Sequence, residues 1–525
     1  MQDSLGKPIE HAVDGENNSI DFDVAYTIRG DLREMLQLLR ARHGEDLLLL
    51  PMSATSSGGG IFQHRERTTA TVVGLRYDAP HDPQTRFESN PDLCVLRQDE
   101  IVIDRERQKI SGGAAVTLNQ LNRALADELG HQYRVAGADL TSYMYAAVGA
   151  TFMTGGMGPQ RRYFSDSVDS IALFDGHDSK RIDGDALAGY AGTYGWSGMV
   201  TAVCCRYYRF PTNEIGFALP VSSRDGSLAR LLEHLAPYCF LDFSDDGVRS
   251  REGGSDLILG IEHVGLDSMQ PLLNSEGADA ERERASKLQQ KCEAANADGA
   301  VFINGLSDRS IDEFLVSLVD DEEAPSLSIA GIDIDNAEVF GDPEEMRALR
   351  EAIPYAARTQ GGKGRLVYKN HTDATVRMPV NDVGNCVERM WQINSRYVDS
   401  VRGYFADNGD VDGQILVYGH LNPFGVDPHN RVTMSSDDEA AFDASREFLL
   451  EQRAIYYRDL AELCECSAAE FIGGEKTADS EIAIYRALRG PQNAPGDLPA
   501  RFLGQQQAIA RAERLFNWRA PAPYR

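Results

Sequence analysis

The stretch AAVGATFMTGGMGPQRRYFSDSV, Ala146 to Val168, decides how the chain is read. Glycines, threonines and apolar residues fill its first half with almost no charge, and Arg161, Arg162 and Tyr163 follow at once. Glycines that only punctuate a turn rarely need apolar residues on both sides, whereas glycines that let backbone approach a ligand do. Two more small-residue stretches lie on the same half of the chain: PMSATSSGGG, residues 51 to 60, and AGTYGWSGMVTAVCCRYYRFP, residues 191 to 211. Their hydroxyls and backbone N–H groups are of the kind that surround a phosphate.

The bulk composition narrows the partners. With 525 residues and 42% hydrophobic content the chain has material for two or three domains with real cores. Asp and Glu number 81 against 52 Lys and Arg, a formal net charge of −29, which argues against nucleic acid or an anionic membrane as partner. Only eight of the 52 basic residues are lysine, a bias that together with the acidity suits a salt-tolerant or high-GC source. No apolar run is long enough to span a bilayer and the polar, acidic start lacks a leader pattern, so the expectation is a cytoplasmic protein without a membrane span. The eight cysteines are scattered without a CxxC pair, so an iron–sulfur cluster or zinc ribbon is not expected.

Periodicity predicts a helix from Asp31 to Arg42 feeding a buried strand, GEDLLLLP, which runs into PMSATSSGGG. TTATVVGL (68 to 75) and DEIVIDRERQKISGGAAV (99 to 116) alternate like strands, and TLNQLNRALADELG fits a helix closing on Gly130. Beyond Pro211 the composition changes: ASKLQQKCEAANADG reads as helix, DLILGIEHV as strand and DPEEMRALREAIP as helix. TDATVRMPVNDVGNCVERMWQINSRYV reads as strand then helix, QILVYGHLNPF as an apolar strand ending at His420, and EAAFDASREFLLEQRAIYYRDLAELC as a long helix. No internal repeat is present.

The three small-residue segments, in this order, resemble the vanillyl-alcohol oxidase / p-cresol methylhydroxylase family of FAD-dependent oxidoreductases. The resemblance implies that FAD is held by Pro51, Met52, Ser53, Ala54, Thr55, Ser56, Ser57 and Gly58 of the first segment. In the second it implies Val148, Gly149, Ala150, Thr151, Thr154, Gly155, Gly156 and Gly158, and in the third Gly198, Val200 and Thr201. Residues 51 to 60 contain neither His nor Cys, so the flavin is expected to be non-covalent. A diphosphate in so acidic a chain needs dense backbone donors, which glycine and serine leave accessible.

The second half resembles the FAD-dependent 2-hydroxy acid dehydrogenases of the D-lactate and glycolate type. LREAIP (349 to 354) matches a helix whose arginine binds the substrate carboxylate, which implies that role for Arg350. YKNHTDATVRMPV (368 to 380) is similar to a strand bearing a substrate-binding lysine; here His371 stands two before Asp373 and Lys369 four before it. YGHLNPFGVDPHNRVT (418 to 433) and SAAEFIGGEK (467 to 476) are similar to segments that supply metal ligands, which implies His420, His429 and Glu470 as candidates for a divalent metal. Phe471 stands where the family has its base, leaving His420, His371 or Tyr368 to take the hydroxyl proton.

The resemblance implies an α+β chain: a p-cresol-methylhydroxylase-type FAD-binding domain plus an inserted, ferredoxin-like substrate (cap) domain of antiparallel sheet and helices. The expected bounds are 1–212 for the FAD domain, 213–435 for the cap and 436–525 for a C-terminal helical segment returning to the FAD domain. The implied activity is an FAD-dependent dehydrogenase or oxidase acting on CH–OH groups, first among them those of 2-hydroxy acids, by hydride transfer to flavin N5. The alternatives are a metal-free carbohydrate or aromatic alcohol oxidase of the same fold, and a flavoprotein subunit that needs an electron-transfer partner for turnover. The expected partners are a small-molecule substrate, an electron acceptor the sequence does not identify, and a second copy in a homodimer.

Overall fold

The structure, a computed structural model, describes residues 5–9, 22–28, 32–52, 71–77, 100–137, 146–156, 164–174, 179–192, 198–251, 253–320, 327–359, 364–372, 374–379 and 381–473. The chain divides into two units, Met1–Gly158 with Tyr163–Arg209 and Glu475–Arg525, and Pro159–Arg162 with Phe210–Gly474.

The first unit opens with β1 (Leu5–Ile9), β2 (Val24–Ile28), α1 (Leu32–His43), β3 (Leu47–Met52) and β4 (Thr71–Tyr77). The strands are ordered β1-β2-β4-β3, and β2 and β3 both run parallel to β4. Parallel strands need a crossover, which α1 provides, burying Met35, Leu36 and Leu39 at helical spacing.

A second sheet follows, made from β5 (Ile101–Asp104), β6 (Lys109–Gly113), β7 (Tyr133–Val135), β8 (Val168–Phe174), β9 (Ser179–Asp183) and β10 (Met199–Arg209). It is antiparallel in the order β5-β6-β10-β8-β9, with β7 also on β10. The sequence TLNQ starts α2 (Leu118–Leu129) with a capping box, Thr117 and Gln120 each capping the other's backbone N–H, a device worth about 1 kcal/mol. Gly130, at φ 107°, ends the helix as expected. The opening stretch of the sequence forms a helix of its own, α3 (Val148–Thr154), which adds Val148 and Phe152 to a core of Leu121, Leu125, Ile171 and Val203.

The second unit begins with β11 (Asn213–Val221), α4 (Ser227–Cys239), a hairpin of β12 (Leu241–Ser244) and β13 (Gly247–Ser250), and β14 (Leu257–Gly265). Next come α5 (Leu266–Leu273), α6 (Asp279–Ala294), β15 (Gly299–Ser307), α7 (Ile311–Ser317), the short pair β16 (Ser328–Ile329) and β17 (Ile332–Asp333), and β18 (Glu338–Phe340). The unit continues with α8 (Pro343–Thr359), β19 (Leu366–His371), β20 (Thr375–Arg377) and α9 (Val383–Asp407). It ends with β21 (Asp412–Asn422), β22 (Gly425–Ser436), α10 (Glu439–Cys466) and β23 (Glu470–Gly473).

Its large sheet is antiparallel throughout, ordered β18-β11-β15-β14-β21-β22-β20-β23 with β19 also paired to β22. β14 and β15 are buried along their whole length, so neither shows the apolar–polar alternation of a strand with one solvated face. Val264 and Phe302 meet Met346 and Leu349 of α8 on one face, while His263 and Gly419 meet Trp391 of α9 on the other. Helix α10 belongs to this unit, burying Tyr456, Tyr457 and Leu460 alongside α9 and β22. The result is the α+β architecture expected from the sequence. Among the described residues no helix is long and apolar enough to cross a membrane.

Candidate functional site

Two places in the chain gather the residues singled out by the sequence. In the first unit, β3 carries Pro51 and Met52, in register with Leu75 and Arg76 of the parallel strand β4, and delivers the first small-residue segment at its carboxyl end. That is where ligands bind in parallel sheets. Ser53, Ala54, Thr55, Ser56, Ser57 and Gly58 lie outside the described residues, as does Gly158.

The second and third segments converge on Ala114. Gly149 N–H donates to the Ala114 carbonyl (3.1 Å), and Ala114 N–H donates to the Thr201 carbonyl (3.0 Å). A Cβ on Gly149 would lie 2.6 Å from that of Ala114, so glycine here lets α3 rest against the end of β6. Val148 N–H donates to Val116, and the hydroxyls of Thr151 and Thr154 turn back to the carbonyls of Ala147 and Ala150. Gly155, at φ 68°, ends α3, and Gly156 N–H donates to the Thr151 carbonyl. Gly198, at φ 128°, has the Phe174 carbonyl 2.7 Å from where its Cβ would stand, and Val200 beside it is buried. The second and third segments are thus neighbours, joined through Ala114.

In the second unit the strand register assembles a polar face. Glu262 of β14 pairs with His420 of β21, and His420 with Asp427 of β22; Tyr418 pairs with His429, and Leu416 with Arg431. Cross-strand partners and residues two apart share a face, so Glu262, Tyr418, His420, Asp427, His429 and Arg431 lie on one side of the sheet. Lys369, opposite Thr433, belongs to the same side. Gly419, which precedes His420, is needed by the other side: Trp391 Cη2 would lie 2.7 Å from a Cβ there.

Arg350 reaches this face from α8, and it is not alone. Its Nε lies 2.5 Å from Oε2 of Glu262, whose Oε1 lies 3.1 Å from Nδ1 of His420. Arg350 and Glu262 are 6% and 8% exposed, so the ion pair sits where water screens it poorly. A second carboxylate–imidazole pair stands alongside, with His429 Nδ1 3.5 Å from Asp427 Oδ2 and the two histidine rings 6.4 Å apart. Asp427 also accepts the N–H of Ala374. His371 and Glu470 are placed by backbone only, His371 opposite Arg431 and Glu470 opposite Arg377. Among the described residues no group of three His, Cys, Asp or Glu is arranged to hold a metal.

Glu262 and Asp427 were not among the residues expected from the sequence. The signal for Glu262 was there: DLILGIEHV is an apolar strand interrupted by an acid and a histidine, and a buried acid needs a partner.

The opposite face is polar too, but differently used. Asn430 Nδ2 donates to Asn394 Oδ1 (2.6 Å) and Thr372 Oγ1 (3.1 Å), a buried network that ties α9 to the sheet. His263 is buried against Trp391, and burial lowers its pKa to about 4, so it is neutral at ordinary pH.

No protein-family model and no curated protein matches the sequence. Solved structures do match the fold. An alkyldihydroxyacetonephosphate synthase superimposes with a TM-score of 0.55 at 12% identity, over 90% of this chain and 74% of that one. The 4-ethylphenol oxidase of Gulosibacter chungangensis gives 0.53 at 13% identity, over 95% and 88%. The 6-hydroxy-D-nicotine oxidase of Arthrobacter nicotinovorans gives 0.52 at 11% identity, over 98% and 97%. At these identities the likeness is one of architecture, and the chain is built on the p-cresol-methylhydroxylase-type α+β fold.

Proposed function

We propose that the chain is an FAD-dependent oxidoreductase that oxidises the alcohol of a small 2-hydroxy acid. The observation that carries this reading is the buried Arg350–Glu262–His420 group, with Lys369, Arg431 and His429 on the same sheet face. In a chain of net charge −29, a face with two arginines and a lysine against two carboxylates favours an anion.

The cofactor would be held by Pro51 to Gly58, by Val148 to Thr151, Thr154 to Gly156 and Gly158, and by Gly198, Val200 and Thr201, the last two segments being joined through Ala114. FAD, when bound, supplies the acceptor for the hydride that leaves the alcohol carbon as the carbonyl forms. The chain's own work is binding and proton transfer. The guanidinium of Arg350 has donors beyond the Nε that faces Glu262, and these, with Lys369, orient the substrate carboxylate. Nε2 of His420 accepts the hydroxyl proton. No metal enters this scheme.

A second reading has one observation in its favour: the charge of Arg350 is already matched by Glu262, which suits an uncharged alcohol such as a carbohydrate or a phenolic alcohol. An absorbance spectrum of the purified protein, followed by anaerobic addition of 2-hydroxy acids, sugars and aromatic alcohols, separates the two. Bleaching of the flavin band by 2-hydroxy acids is the expected result. Bleaching by sugars or aromatic alcohols alone would transfer the case to the second reading, and no flavin band after incubation with FAD would overturn both.

A further inference from the structure

We infer that Tyr418 is a specificity-determining residue: its ring carbons receive the apolar side chain of the 2-hydroxy acid whose hydroxyl meets His420. The inference rests on the proposed oxidation. Strand register sets Tyr418 opposite Val264 of β14 and His429 of β22, on the sheet face that carries His420. Tyr418 and His420 are two residues apart on β21, a step of about 7 Å along a strand, which a side chain a few carbons long can span.

Much of this face is closed to solvent. Glu262, Arg350, Asp427 and Arg431 are buried, and so is Leu416, two residues before Tyr418. Tyr418, His420 and His429 are half-buried and keep a part in reach of a ligand. Because β21 lies between β14 and β22, the part of Tyr418 that stays exposed belongs to its side chain and not to its backbone. Its hydroxyl oxygen is shut off from water. What Tyr418 turns outward is therefore carbon.

The ring is also backed by apolar packing, since Tyr418 rests against the core cluster that contains Val264, Leu349 and Ile353. Such a wall does not yield easily to an incoming group. An apolar substituent placed against it leaves water at no cost in hydrogen bonds, whereas a hydroxyl placed there loses its water and finds no partner among ring carbons. The same face thus discriminates between side chains of equal size but different polarity.

Two 2-oxo acids test this by binding alone, because they have no CH–OH group to oxidise. 2-Oxobutanoate and hydroxypyruvate differ mainly in a methyl against a hydroxyl, and calorimetry on the full-length protein gives a Kd for each. The expected result is a Kd about 10-fold lower for 2-oxobutanoate in the native protein. Tyr418→Phe, which removes only the buried hydroxyl, should keep that ratio, and Tyr418→Ala should bring it within about twofold. If Tyr418→Ala fails to fold, Tyr418→Leu, smaller but still apolar, should shift the tightest-binding straight-chain 2-oxo acid to a longer chain.

Equal affinities in the native protein, no binding of either acid, or an unchanged ratio in a folded Tyr418→Ala would overturn the inference, as would an unchanged chain-length preference in a folded Tyr418→Leu. The flavin band then tests the reading beneath it. The apolar preference without bleaching by any 2-hydroxy acid would instead overturn the oxidation, leaving the role of Tyr418 in binding intact.

Discussion

In the first unit the residues that mark a candidate site are small and contiguous; in the second they are large, charged and drawn from β14, α8, β21, β22 and β19. Gly149 and Gly198 stand where backbones close on one another, and each is demanded by a neighbour within 3 Å of a missing Cβ. Glu262 and Arg350 stand where charges have been taken out of water and compensate each other. A glycine stretch can thus be fully explained by packing and still border a ligand, whereas a buried charge group has no packing reason to exist. The second kind of evidence says more about chemistry, and it is also the more fragile.

That fragility gives the largest expected effect. Replacing Arg350 by Met strands the Glu262 carboxylate in a buried setting, and breaking such a pair from one side costs about 3–5 kcal/mol. Urea unfolding should show it as a lowered midpoint with little change in slope. The double replacement Arg350→Met with Glu262→Leu should regain most of the loss, because two apolar side chains need no compensation. A double variant as unstable as the single one would mean that the pair is held by more than its own charges, and would blur the contrast between the units.

A smaller effect is expected from the opposite face of the same sheet. His263 has a pKa lowered by burial to about 4, against about 6.5 when unfolded. The unfolded chain therefore binds a proton that the folded chain refuses between those values, so the stability is fully present above pH 6.5 and falls as the pH drops toward 4. The loss should approach about 3 kcal/mol by pH 4. His263→Phe, compared with the native protein by urea unfolding at several pH values, should flatten that part of the profile. If both proteins lose stability in parallel, other groups carry the acid sensitivity and the neutral, buried histidine is incidental.

The two regions also differ in how far the sequence revealed them. Strongly periodic segments such as α2, with its TLNQ start and Gly130 stop, were readable because local signals agree with the final packing. Helix α3 was not, since VGATFMT has weak helix formers and is held by tertiary bonds, Val148 to Val116 and Gly149 to Ala114. In the second unit Arg350, Lys369, His420 and His429 were reached through motifs that resemble those of a known family. Which of them are neighbours depends on register between strands more than 150 residues apart, such as Glu262 opposite His420, and no local pattern encodes that.

The smallest expected effect addresses the glycines directly. Gly149→Ala puts a Cβ 2.6 Å from that of Ala114, and overpacking of this kind costs about 1–3 kcal/mol. Exchanging the two, Ala114→Gly with Gly149→Ala, removes the clash and should restore most of the stability, since the pair keeps its summed volume. The flavin band separates packing from binding. A swapped protein that regains its unfolding midpoint and also retains FAD would make Gly149 purely a spacer between α3 and β6. A swapped protein that regains stability but loses the flavin would show that the same bare backbone also faces the cofactor, and the two kinds of site would then be less unlike than their residues suggest.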